Sequence, residues 1–332
     1  MRRIFDLIWS SLRYLRFGVK LARQYMYDFV RYMRYSASVK PHDTQDRYQG
    51  RIIAHYHVIE KGLSLAETRV GFGSDVVNNL VDLLEGYREK YGLDGVGQVA
   101  LNVLSSYCDF NLEHGHEIDK ELHERIISLR NSIRDKSALL QEGGVMLVRL
   151  SDIQRKARVD FKGFVDSRHS VRHFARGEVD GELIEEAISM AIRTPSACNR
   201  QAWRVHLVCD PDLKRRVLSH QTGNRGFGNA ASKLLIVTVD LSYFSGIGER
   251  NQGFIDGGMF AMTIVYALHS LGLGSCCLNW CVSADIDLAL RQEIGIGDSE
   301  TILMMIAVGR LPDEFLVACS SRKSVSQILL KH

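Results

Sequence analysis

A chain of 332 residues, 45% apolar and 24% charged, has the composition of an ordinary globular protein with room for one large core or two smaller ones. Four prolines and no low-complexity tract exclude long disordered linkers, and seven irregularly spaced cysteines exclude a secreted disulfide framework, so a cytoplasmic protein is expected. The net charge of +3 is unevenly spread: nine Lys/Arg against Asp6 and Asp28 give the first 40 residues +7 and leave −4 on the remainder.

Residues 1–40 place Phe5, Ile8, Trp9, Leu12, Leu15, Leu21, Tyr25, Phe29 and Tyr32 at helical spacing among Arg and Lys. This predicts a basic amphipathic helix whose partner is anionic: a membrane surface, a nucleic acid or an acidic patch of its own protein. Packing on its own domain or on a dimer partner is an equal alternative. No nucleic-acid-binding motif accompanies the basic arm, so no nucleic acid is expected. Arg or Lys recurs every few residues, which excludes a signal peptide, and the furthest membrane role expected is peripheral contact with the inner face.

Residues 41–160 read as a helical extension domain with breaks at Gly71-Phe-Gly73, Gly92 to Gly97 and Gly143-Gly144. Asp119 to Leu140 is expected as one charged helix with Leu122, Ile126, Leu129 and Ile133 on its apolar stripe. The pairs His55-x-His57 and His114-x-His116 would share a face only in a strand, and this region is helical, so no metal site is expected. His57, Glu60 and Lys61 fit two readings equally: a lid over a substrate pocket, or a helix end capped by Gly62.

Residues 161–332 alternate helix and strand. A helix is expected over about 181–193, a loop over Thr194–Ala202, strands over Trp203–Cys209 and Leu234–Val239, and a helix over 257–271. A strand over 275–281, a helix capped by Ser283 and a strand over Thr301–Val308 follow. The uncharged stretch Gly257–Ala284 is thus a buried helix and strand rather than a membrane span, and Cys276, Cys277 and Cys281 are expected as small buried strand residues rather than zinc ligands. The pattern predicts a layered α/β or α+β domain around a buried sheet.

Two segments carry candidate chemistry. Arg168-His169-Ser170-Val171-Arg172 offers two guanidiniums and a hydroxyl within five residues, a grip for a phosphate dianion; alone, it fits a solvated basic turn better. The loop Thr194-Pro-Ser-Ala-Cys-Asn-Arg-Gln-Ala-Trp203 offers Ser196, Asn199 and Gln201 as neutral donors and acceptors for a heterocycle's edge, or simply joins a helix to a strand. The glycine pairs elsewhere lack dinucleotide or P-loop spacing.

The R-H-S-x-R start, the P-S-x-x-N-x-Q-x-W loop, the apolar helix ending Leu271-Gly-Leu-Gly-Ser-Cys276 and an Arg after the last core strand occur in one order. Together they resemble the nitroreductase family of FMN enzymes. The resemblance implies an α+β fold, a central sheet flanked by helices, here preceded by a mostly α-helical N-terminal region, and an intertwined homodimer with two FMN sites at the interface. It implies that Arg168, Ser170, Arg172 and Arg322 hold the phosphate with His169 beside it, and that Ser196, Asn199 and Gln201 meet the ribityl chain and ring edge. Cys277, Leu278, Asn279 and Trp280 would line the reactive edge of the ring. Ala202 and Trp280 depart from the family's common Pro and Gly, the second within the substrate pocket. In such an enzyme the flavin does the chemistry and no side chain is a nucleophile: NAD(P)H gives a hydride and a small electron-poor acceptor (quinone, nitro or enone) takes the electrons. The rival readings are a flavin-binding interaction protein or redox sensor at a membrane surface, and an FMN-dependent dehydrogenase that uses its substrate as donor.

Overall fold

The computed structural model describes residues 2–40, 44–133 and 143–331, with side chains from residue 13 onward. Helix α1 (Arg2–Tyr35) is followed by α2 (Gln45–Leu63), α3 (Ser74–Tyr91), α4 (Gly95–Glu113) and α5 (Lys120–Asn131). The last four build a core of their own from Tyr48, Ile52, Ile59, Leu80, Leu84, Tyr87, Leu101, Leu104, Ile126 and Leu129. Three of the four starts are capped by a side chain: Thr44 accepts from the Arg47 N–H at 3.3 Å, Asp94 from Val96 and Gly97 at 3.0 and 3.2 Å, and Asp119 from Leu122 at 3.0 Å. The α5 helix stops at Asn131, well short of the expected Leu140, with Ser132 as its cap; positions 134–140 of that expected helix lie outside the described residues. Gly62 is not a cap either. The α2 helix runs past it to Ser64, and Gly62 is bare because the Phe72 ring lies where a Cβ would be, at 2.0 Å.

Two short helices, α6 (Leu150–Lys156) and α7 (Phe161–Ser167), lead to the α+β half: α8 (Gly181–Ala191), β1 (Trp203–Val208), α9 (Pro211–Ser219), β2 (Lys233–Asp240), α10 (Gln252–Ser270), β3 (Leu273–Asn279), α11 (Ala284–Ile294), β4 (Glu300–Arg310) and α12 (Val325–Ile328). The four strands are antiparallel in the order β1-β2-β4-β3. Alternation along each strand fills two layers. Leu235, Val237, Ile306 and Val308 meet Ile184, Ala187, Phe260, Ile264 and Leu268 of α8 and α10. Leu234, Ile236, Met305 and Ala307 meet Val217, Leu218 and Leu290 of α9 and α11. Helix α10 begins five residues before its expected start, because polar Asp256 is buried by a loop contact and Gly257 lets the helix press on Val239 and Leu303. β3 begins two residues early, since Gly272, at φ +73°, ends the helix turn and Leu273 already pairs with Arg310. Of the three cysteines expected to be buried in this strand, only Cys276 is. Cys277 faces outward, and Cys281 lies exposed beyond the strand.

The basic helix meets an acidic patch of its own chain. Arg23 pairs with Asp285 at 3.0 Å, Tyr27 donates to Asp287 at 2.7 Å, and Arg31 donates to the Asp298 carbonyl at 3.0 Å and to that of Glu300. The N-terminus of α11 is capped by α1 rather than by the Ser283 side chain: Gln24 Oε1 accepts from the Ala284 N–H at 2.8 Å. Helix α1 therefore docks by its polar side, and Leu15, Tyr25, Met26, Phe29, Val30 and Met33 point outward. Among the described residues no helix is long and apolar enough to cross a membrane.

Candidate functional site

The strip 168–174 is pinned against the outer edge of β3. Ser170 forms a parallel bridge with Ser275, the Val171 N–H donates to the Ser275 carbonyl at 2.9 Å, and Ala175 N donates to Arg310 at 2.9 Å. Val171 and Phe174 are buried, resting on Gly274 and Gly309, where a Cβ would clash with them. Fixing these two side chains inward leaves Ser170, Arg172 and His173 outward, and Arg168 half-buried at the end of α7. Arg168 and Arg172 form no ion pair among the described residues; the Arg172 guanidinium lies 5.9 Å from the Phe227 ring centre. His269, at the end of α10, joins this cluster. It shares a 2.9 Å hydrogen bond with Ser167 Oγ and packs on Phe164. Burial pushes its imidazole below the ordinary His range; a Phe164 backbone hydrogen bond opposes this, and the charges of Arg168 and His169 add to it. Arg168 also acts electrostatically on Cys277, whose side chain is open beside Asn279, while Leu278 turns into the core and Trp280 is half-buried.

The loop before β1 is strained. Cys198, Asn199 and Gln201 all lie at positive φ, +52°, +52° and +49°, a region that costs non-glycine residues of order 1–3 kcal/mol each. Its geometry is enforced from inside by residues that no sequence motif marked. Arg200, 2% exposed, forms a two-pronged pair with Glu249 and donates to the Ala197 and Tyr243 carbonyls at 3.1 and 3.3 Å. Buried Asp256 accepts from the Ala197 N–H at 3.2 Å, and Thr194 donates to Thr263 at 2.8 Å. Burial would raise the Glu249 carboxyl, but hydrogen bonds from Arg200 and the Ser245 and Gly246 backbone outweigh it and hold the group below its usual range. With Arg200 turned inward, Asn199 and Gln201 face solvent, and Ser196 Oγ accepts from the Gln201 N–H at 3.0 Å. Helix α2 packs against this turn. On that helix His57 Nδ1 sits 3.3 Å from Glu60, Glu60 also accepts from Gly144 N at 3.2 Å, and Lys61 is exposed. His55 instead bonds the Arg51 carbonyl at 2.8 Å, so the H-x-H pair diverges on its helix.

The two halves do not meet within one chain. Strip and β3 lie at one sheet edge, level with Lys233 of β2; the loop enters β1 at the other edge, level with Val239. Three strand spacings and six residues of rise put them roughly 24 Å apart, beyond the reach of one mononucleotide. Arg322 lies on the exposed C-terminal tail, bonding the Ser320 carbonyl at 3.0 Å rather than Arg168 or Arg172's neighbourhood.

The pattern that defines the nitroreductase family matches residues 165–224 and 219–310. The α+β half of this chain is similar to that family over those residues. An Archaeoglobus fulgidus protein whose name assigns it provisionally to NADH dehydrogenase/NAD(P)H nitroreductase is 26% identical over 150 residues, 45% of this chain and 83% of its own. An oxygen-insensitive NADPH nitroreductase of Helicobacter pylori is 32% identical over 74 residues, 22% of this chain and 35% of its own, so the chain spans well under half of that relative. The solved FMN-dependent nitroreductase of Clostridium difficile R20291 covers 52% of this chain and 99% of its own at 20% identity, with a TM-score of 0.45. The match begins at Val165, and α1 to α6 lie before it.

Proposed function

We propose that this chain is an FMN-dependent oxidoreductase that works as a homodimer, each flavin held between the strip of one protomer and the amide loop of the other. The observation that carries this reading is the pair of guanidiniums without ion pairs among the described residues, and the open hydroxyl, on a strip pinned to β3. Charge left uncompensated on a rigid backbone suits a phosphate dianion. The 24 Å diagonal supports the two-chain site, because a closed two-fold dimer brings such opposite corners together.

In this reading Arg168, Ser170 and Arg172 grip the phosphate beside His169, and Arg322 reaches them by its tail. Ser196, whose oxygen already accepts from Gln201, has its own O–H left to donate; with Asn199 and Gln201 it orients the ribityl chain and ring edge. Cys277 and Asn279 border the ring with side chains, Leu278 with backbone alone, and Trp280 closes one end. Bound there, FMN supplies hydride acceptance from NAD(P)H and electron delivery to an electron-poor acceptor. Since α2 rests on the amide loop, His57, Glu60 and Lys61 serve as the lid that selects the acceptor.

The test is the absorbance spectrum of the purified protein, followed by anaerobic titration with NADPH and then NADH. Flavin bands, FMN released on denaturation and bleaching by one nucleotide are expected. Bound flavin that neither nucleotide bleaches would favour a substrate-driven dehydrogenase or a sensor, and failure to take up added FMN would overturn the reading. The outward apolar side of α1, with Arg13, Arg16 and Lys20 exposed and without ion pairs among the described residues, favours peripheral contact with an anionic membrane as well. Co-sedimentation with anionic but not neutral vesicles is expected, and equal behaviour with both removes the membrane from the reading.

A further inference from the structure

Trp280, the departure from the family pattern at the end of β3, is held from outside the nitroreductase half. Its indole Nε1 donates to Asp287 Oδ1 at 2.7 Å. The other oxygen of that carboxylate accepts from the Tyr27 hydroxyl of α1 at 2.7 Å and from Arg291 Nε at 2.6 Å. Asp287 and Arg291 are buried, at 8% and 4% exposure. Burial alone would raise the Asp287 carboxyl; hydrogen bonds from Tyr27 and Trp280 and the Arg291 charge outweigh it and keep the carboxylate ionised. The grip extends along α1, with Arg23 on Asp285 and Gln24 on the first N–H of α11.

An indole has one donor, so its orientation follows the oxygen that takes it. That oxygen is fixed by the donors on the opposite side of the same carboxylate, one of which belongs to α1. Turning the ring away would leave a buried carboxylate oxygen unpartnered, which is costly. We propose that Tyr27 and Asp287 are positioning residues for Trp280, so that the docked N-terminal helix sets the shape of the flavin pocket and the size of acceptor it admits. The linkage stands on the contacts themselves; only the identity of the pocket rests on the flavin reading above.

Full-length protein labelled with 5-fluorotryptophan gives the test. The 19F resonance lost in Trp280→Phe identifies the indole. Tyr27→Phe should shift or broaden that resonance in the apoprotein while the Trp203 signal, whose ring stacks on Phe260, stays in place. The same variant should weaken FMN uptake about tenfold, the value of one hydrogen bond to a charged buried partner. It should also raise KM for a bulky acceptor more than for a small one at unchanged kcat. In a Trp280→Phe background, Tyr27→Phe should add almost nothing. Asp287→Asn should move the same resonance further, and Arg23→Ala, which removes an exposed pair, should not move it. A Trp280 resonance unmoved by Tyr27→Phe and Asp287→Asn, at unchanged far-UV circular dichroism, would overturn the proposal. A moved resonance in a protein that takes up no FMN would keep the linkage and sink the flavin reading.

Discussion

Replacing Glu249 by Gln should release the amide loop without unfolding the domain. The substitution leaves Arg200, 2% exposed, with its charge uncompensated. Breaking a buried pair from one side costs roughly 3–5 kcal/mol, and Glu249, whose side chain is 29% exposed, places this case at the lower end, about 3 kcal/mol. The loop it restrains stores strain of similar size: Cys198 and Gln201 at positive φ cost at least about 1 kcal/mol each, and Asn199 less. Remove the pair and the strain is no longer offset, so opening of residues 196–201 becomes nearly free. Hydrogen exchange read by mass spectrometry should show amide protection in this segment falling by about 100-fold, the factor for roughly 3 kcal/mol, while β2 and β4 exchange as before.

The pH dependence follows from the direction of the Glu249 shift. Its folded pKa lies below the unfolded value of about 4.3, so its stabilisation is present above that value and fades as pH falls through the folded pKa. Wild type and Glu249→Gln should differ fully at pH 7 and converge under acid. Unchanged loop protection at pH 7, or a difference that grows in acid, would refute the argument that this pair holds the strained turn.

Phosphate or FMN binding at Arg168 and His169 should raise the depressed His269 pKa, because an anion offsets the cations that disfavour its charged form; histidine NMR titrations with and without inorganic phosphate check this, and no upward movement places the anion elsewhere. Gly62→Ala should destabilise the helical half by about 1–2 kcal/mol in urea unfolding, since displacing Phe72 from Tyr107 and Phe110 outweighs the roughly 1 kcal/mol that Ala gains in helix propensity. Arg168→Glu and Asn199→Gly (glycine suiting the positive φ) should each abolish flavin binding alone, yet co-refolded in equal amounts restore about a quarter of the wild-type flavin through heterodimers with one intact site. Sites confined to single chains would restore none.

What was legible in the sequence is what local pattern encodes. Alternating apolar residues marked the strands, and the two polar segments at 168–172 and 194–203 were found as candidates because their chemistry is contiguous. The residues that make those segments rigid were not legible, because their partners are remote. Glu249 lies 49 positions from Arg200, Asp256 lies 59 from Ala197, and His269 lies 102 from Ser167. Asp256 misled the helix boundary for the same reason: the expected helix begins with the uncharged stretch at Gly257, and the buried acceptor role that places Asp256 inside the helix depends on remote Ala197. Cys276 is buried as expected, but Cys277 was misjudged because composition cannot say which side of a strand is covered, and Cys281 because the strand ends at Asn279.

Helix α1 shows the limit most sharply. Its periodicity and charge were plain, and so was its need for an anionic partner, but a helical wheel has no inward direction of its own. Burying the apolar side is the usual solution, since each covered aliphatic or aromatic side chain contributes about 1.5–3 kcal/mol. Here the polar side is inward, because α11 and the start of β4 present Asp285, Asp287, Asp298 and the Glu300 carbonyl as a ready set of acceptors some 260 residues away. The apolar stripe is left outward at a forfeited stabilisation of order 10 kcal/mol for six such side chains. A helix held this way is retained by specific contacts rather than by greasiness. One of those contacts, Tyr27 on Asp287, reaches the carboxylate that also accepts from the Trp280 indole, so the extension is tied to the end of β3 by a buried hydrogen-bonded carboxylate rather than by apolar packing.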